Sequence, residues 1–141
     1  MASGLYPSSI NDTFKGNIDY DTDTFYAMLL TNAYTPDFDT HIKRSSLTAN
    51  EASGTGYSAG GVVVTVTVST YDTTNNRQDV SLGGFTLSTS TITARYAAYY
   101  KRRGGADTAD ELVGLNDFGS DKTSSAGDFI VASSTLRVTL N

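Results

Sequence analysis

Gly56-Tyr57-Ser58-Ala59-Gly60 has the G-x-S-x-G spacing of a nucleophile elbow. In that motif the serine sits on a tight strand-to-helix turn, and an acid and a histidine follow later in the chain. Here a β-branched run follows, and the only histidine, His41, precedes the serine. The overlapping Gly54-Thr55-Gly56-Tyr57-Ser58-Ala59 fits G-x-G-x-x-A, but a pyrophosphate site needs a helix N-terminus behind the glycines. The stretch therefore reads as a glycine turn that permits positive φ. Asp19, Asp21 and Asp23 alternate like the start of a calcium loop, yet the loop's glycine falls at Thr24 and its bidentate glutamate at Leu30. That excludes an EF-hand and leaves either a loose oxygen-ligand site or a solvated cluster at a strand entry. Lys101-Arg102-Arg103 is the one basic run, preceded by Tyr99 and Tyr100. Nucleic-acid readers combine such runs with net positive charge, which this chain lacks, so the run is expected to pair with acidic residues of a neighbouring subunit or face solvent. Asp117 and Asp121 could form a hydrolytic carboxylate pair only if the fold set them across a cleft. With one histidine and no cysteine, a zinc site lacks ligands. These residues predict no catalytic centre and no cofactor.

The elements that must position these residues are strands. Val62 to Tyr71 places Val62, Val64, Val66 and Val68 on one face and Val63, Thr65, Thr67, Ser69 and Tyr71 on the other, which predicts one ribbon with an apolar even face. Thr24 to Thr31 is apolar on both faces and is expected to be covered on both sides, on one of them by the helix that precedes it. Thr91 to Lys101 is expected to set Ile92, Ala94, Tyr96, Ala98 and Tyr100 on one face and Tyr99 with Arg95 on the other. Gln78 to Leu82, Phe85 to Leu87, Glu111 to Phe118, Asp128 to Ala132 and Thr135 to Leu140 complete the strand set, the last with Leu136, Val138 and Leu140 inward. Gly83-Gly84 marks a bulge or bend. One helix is predicted between Leu5 and Gly16, starting at Pro7 or Ser8, with Ile10 and Phe14 on one face. Tyr34 to Asn50 is a long irregular segment, and such segments are often contact surfaces. The pattern predicts an all-β, jelly-roll-like antiparallel sandwich with one short N-terminal helix, spanning residues 1–141 as a single domain.

A chain of 141 residues can bury such a core unaided, and the absence of cysteine excludes disulfides. The net charge of −5 argues against nonspecific nucleic-acid binding. No apolar run has the length of a membrane span, and Met1-Ala2-Ser3-Gly4 shows no secretion-signal pattern.

Several blocks resemble small structural proteins of tailed bacteriophages. They are Asp21-Thr22-Asp23-Thr24 with the Phe25 to Leu30 strand, Tyr34-Thr35-Pro36-Asp37, Asn50 to Gly61, Thr91 to Arg95, Asp117 to Lys122 and Gly127-Asp128-Phe129. The glycine block and Asp-Phe-Gly-Ser-Asp-Lys are the specific parts. The resemblance implies a non-enzymatic virion component, most like a head decoration or cement protein. Such a protein sits on the outer surface of the capsid, binds the major capsid protein and forms a homo-oligomer, often a trimer. A tail or fibre component that binds the host surface is the alternative. Neither nucleic acid nor membrane is an expected partner. For an interface of this kind the candidate anchors are Tyr34, Phe38 and His41 in the long segment, Tyr71 at a strand end, Tyr99 on the less apolar face of its strand, and Arg102 and Arg103 of the basic run.

Overall fold

A computed structural model describes residues 3–140. Met1 and Ala2, part of the stretch read for a signal, lie outside the described residues. The chain runs β1 (Gly4–Leu5), α1 (Pro7–Phe14), β2 (Phe25–Leu30), β3 (Val62–Val64), β4 (Val66–Val68), β5 (Arg77–Leu82), β6 (Phe85–Lys101), β7 (Leu112–Val131) and β8 (Ser134–Thr139). It is an antiparallel β-sandwich with one short N-terminal helix, as the strand pattern predicts. A five-stranded sheet has the order β1-β7-β6-β2-β3, and a three-stranded sheet has the order β4-β5-β8.

The two sheets are made largely from one bent hairpin. β6 pairs with β7 from Phe85–Val131 to Tyr100–Leu112, and β5 pairs with β8 just beyond the bend. The bend falls at Gly83-Gly84 on one arm and Ala132-Ser133 on the other. A side chain at Gly84 would place its Cβ 2.6 Å from the Val131 carbonyl oxygen, so the corner closes only without one. The valine ribbon turns the same corner. Val62–Val64 adds to β2, Val66–Val68 adds to β5, and the Gly83 N–H donates to the Thr65 carbonyl at 2.7 Å. The single strand predicted for Val62 to Tyr71 is therefore two strands in two sheets. Its even face holds only in part: Val64 is buried and Val66 packs on the core, but Val68 lies past the core and is exposed.

β2 is apolar on both faces because both are covered. Phe25, Ala27 and Leu29 join Ala97, Tyr99, Val113 and Phe129 in the core between the sheets. Met28 and Leu30 join Tyr96, Ala98, Tyr100 and Leu112 in a second core on the other side. The cover over that second core is the irregular segment, through Tyr34 and Leu47, with two short 3₁₀ turns at Arg44–Ser46 and Thr48–Asn50. The helix does not cover it, and Phe14 is 86% exposed. Each fully buried large side chain contributes roughly 1.5–3 kcal/mol, so both faces hold the sheet.

One slip in register corrects the predicted faces of β6. Between Ala94 and Tyr96 the pairing jumps from Lys122 to Asp117 on β7. Ile92 and Ala94 consequently share the inter-sheet core with Ala97 and Tyr99, whereas Tyr96, Ala98 and Tyr100 face the second core. A bulge reverses which parity points inward.

Candidate functional site: an apolar groove beside a closed charge network

The residues that could have carried chemistry are held by structural partners. In the glycine block, Ser58 lies in an exposed turn followed by a strand. The block instead closes the part of β2 that β3 leaves bare. The Ala52 N–H donates to the Leu29 carbonyl at 2.8 Å, and the Leu29 N–H donates to the Tyr57 hydroxyl at 3.0 Å. Tyr57 in turn donates to Glu51 Oε1 at 2.7 Å. Gly61, with φ +95°, approaches so closely that a Cβ would stand 2.1 Å from the Ala27 carbonyl oxygen, a place only glycine can fill.

His41 Nδ1 shares a 2.8 Å hydrogen bond with the Tyr34 hydroxyl, which shares another of 2.8 Å with the Tyr6 hydroxyl. Burial pushes the Tyr6 and Tyr34 hydroxyls up, so they stay protonated and serve as fixed hydrogen-bonding groups. Asp117 takes a two-pronged contact from Arg95 at 2.6 and 3.2 Å and accepts the Gly119 N–H at 2.8 Å. The Arg95 hydrogen bonds hold its carboxyl below the usual aspartate range. Asp121 accepts from Asn32 Nδ2 at 2.8 Å. These two aspartates thus clamp the bulge of β7 and have partners of their own. Asp23 pairs with Lys101 at 2.7 Å and accepts the Asp19 N–H at 2.7 Å. Among the described residues no group of three His, Cys, Asp or Glu is placed to hold a metal ion.

The basic run is held not by a neighbouring subunit or solvent but by acidic and aromatic groups of its own chain, together with the irregular segment. Lys101 also donates to the Asn17 carbonyl at 2.6 Å, and Arg102 stacks 4.6 Å from the centre of the Tyr26 ring. Arg103 and Lys43 both bond Glu111, at 2.8 and 3.2 Å. Arg44 Nε meets the fully buried Asp110 at 2.7 Å, and Asp110 also accepts the Arg103 N–H at 2.8 Å. Burial pushes the Glu111 carboxyl up, but hydrogen bonds from Arg103, its own backbone and Lys43 outweigh that and hold it low. This network ties the loop after β6 to the cover of the second core.

The predicted anchors therefore do not gather in one patch. Burial takes Tyr34 and Tyr99 out of any contact surface of the folded chain. Phe38 is half-buried, with its ring 5.1 Å from that of Tyr6, and His41 is half-buried on Tyr34. Arg102 and Arg103 are occupied as described. Tyr71 alone of the aromatic set is open, at 43% exposure.

The surface that stands out lies elsewhere. A groove of about 380 Å³ runs between α1 and the three-stranded sheet. Ile10 and Phe14 line one wall, and Val68, Val80, Val138 and Leu140 line the other. It exists because the apolar face of β4, β5 and β8 is longer than the core beneath it. Leu82, Val66 and Leu136 sit over the core, whereas Val138 and Leu140 run past it, 45% and 58% exposed. The inward placement predicted for Val138 and Leu140 is corrected accordingly: they share the face of Leu136 but have nothing beneath them. The strict alternation from Thr135 to Leu140 identified the face and gave no measure of how far the core extends. Phe14 had a signal in the helix pattern, as the partner of Ile10, and was missed because such a face ordinarily packs inward.

No match is found to a known family model, to a curated protein or to a solved structure. Among the described residues no helix is long and apolar enough to cross a membrane.

Proposed function

We propose that this chain is a non-enzymatic structural protein of a tailed-bacteriophage virion, a decoration protein that binds the major capsid protein on the outside of the head and stabilises the shell. The observation that carries the reading is where the unpaired surface lies. Seven of the ten basic side chains are in ion pairs within the chain, while four exposed apolar side chains, Phe14, Val68, Val138 and Leu140, border one groove. A molecule built this way acts by burying surface on a partner rather than by turning over a substrate. The resemblance of the glycine block and of Asp117 to Lys122 to phage structural proteins supplies the class of partner.

The test is reconstitution. Purified protein is mixed with heads that lack it, and bound protein and heat resistance of the heads are measured. Saturable binding with a rise in the temperature of genome release is expected. Binding to host cells or cell-wall sugars, with none to heads, would transfer the protein to the tail or fibre role.

A further inference from the structure

We infer that β8 is a self-complementary edge through which two copies of this chain pair about a twofold axis, joining their three-stranded sheets into one of six. β8 is the outer strand of its sheet, so the backbone groups on its far side have no strand partner, and such an edge is a template for another strand. The strand direction stays regular to the end of the groove, because the Leu140 N–H still donates to the Asn76 carbonyl at 2.7 Å. The first half of β8 is flanked by a cleft of about 430 Å³ whose other wall is β1. Its second half runs out beside the groove and is open.

The side chains select the register. Opposed residues of an antiparallel pair lie on the same face, so a twofold must pass through a residue position. A twofold at Arg137 would set two arginines against each other. A twofold at Leu136 would bring the partner strand against the half of β8 that faces β1. With the axis at Val138, Val138 meets its own copy, Leu136 meets Leu140, and Arg137 meets Thr139. No like charges then face one another across the new ladder. Arg137 keeps its bonds to Asp79 at 2.7 and 2.8 Å on the polar face.

Charge points the same way. The chain as a whole carries −5, whereas the three strands of this sheet hold two arginines, Arg77 and Arg137, against one acid, Asp79. The sheet itself therefore adds no net negative charge to a contact between two acidic molecules. The inference concerns the free edge of β8 and is independent of what the groove itself contacts. A threefold ring requires two different complementary patches, whereas β8 offers one that matches itself.

The chain has no cysteine, which makes a cross-linking test clean. Single-cysteine variants Val138→Cys, Leu136→Cys and Val63→Cys are oxidised at micromolar concentration, and the unmodified protein is weighed by sedimentation equilibrium. A dimer mass is expected, with efficient self-cross-linking of Val138→Cys only. Leu136→Cys should cross-link when mixed with Leu140→Cys, and Val63→Cys, exposed on the other sheet, should not. Val138→Arg should yield a folded monomer, shown by an unchanged circular dichroism spectrum. A monomer or trimer mass for the unmodified protein, or equal cross-linking at all positions, would overturn the pairing. Binding of Val138→Arg to heads is then measured separately, so that loss of the dimer and loss of capsid binding are told apart.

Discussion

Glu111 shows how this chain spends its charges. Its side chain is 4% exposed, yet it takes hydrogen bonds from Arg103 and Lys43, and these hold its carboxyl below the ordinary glutamate value of 4.5. A carboxyl depressed in the folded state stabilises the fold above its unfolded value, and the contribution is lost as pH falls through the folded value. Urea unfolding should therefore show stability falling as pH drops below about 4.5. Asp117 should add to the loss below 3.8. Glu111→Gln should be less stable at pH 7 by about 2 kcal/mol, since both cations can turn toward water, and its acid slope should be flatter. An identical slope in the variant would remove Glu111 from the network. Tyr34→Phe tests the hydroxyl chain. It leaves the buried Tyr6 hydroxyl without its bond and should cost about 1–3 kcal/mol. Tyr71→Phe, at an open position, should stay within about 0.5 kcal/mol. At this scale the sequence was least informative. Arg44 and Asp110 lie 66 residues apart, and Lys43 and Glu111 lie 68 apart. Only the folded path of the chain joins them. His41 and Asp117 carried a chemical suggestion by type alone, and their neighbours decided against it.

At the scale of elements, the doubly apolar pattern of β2 predicted cover on both sides, and the structure supplies it. The second-core cover comes from the irregular segment rather than from the N-terminal helix, which packs on β7 and lines the groove beside the three-stranded sheet. The valine ribbon had the right alternation, but a two-residue period is blind to a strand that changes sheets at Thr65. The slip between Ala94 and Tyr96 was equally hidden, because the glycine that accompanies it, Gly119 at φ +80°, sits on the partner strand. These placements give a graded test. Val64→Asp puts a charge in the buried core and should cost several kcal/mol. Val66→Asp, half-buried over the same core, should cost about 2 kcal/mol or more. Thr67→Asp should be mild. Val68→Asp, at the open groove, should also be mild when measured on dilute protein. An unbroken ribbon with a uniformly buried even face predicts equal damage at Val64, Val66 and Val68, so thermal melts of the series decide between the two.

At the scale of the molecule, the charges and both cores are held within the chain, while one groove gathers four exposed apolar side chains. Two cores flank the main sheet, an ion-pair network ties down the loops, and the three-stranded sheet carries its apolar face beyond the core. The overall architecture was legible because strand periodicity and glycine corners are local signals. The groove was not, since it depends on a mismatch in length between a sheet and what lies under it. Phe14→Asp and Leu140→Asp leave the body intact, because both side chains are already exposed. If the groove meets the shell, Phe14→Asp should weaken binding to heads at least tenfold in a sedimentation assay while shifting the melting temperature little, and Leu140→Asp, which also touches the β8 pairing, is read beside its own sedimentation mass.

The most direct measurement is electron cryomicroscopy of heads mixed with the purified protein. Ordered density for this chain is expected on the outer face of the shell, with the groove between α1 and β8 covered by capsid protein. A bare shell at saturating protein, or density only at the tail, would contradict it.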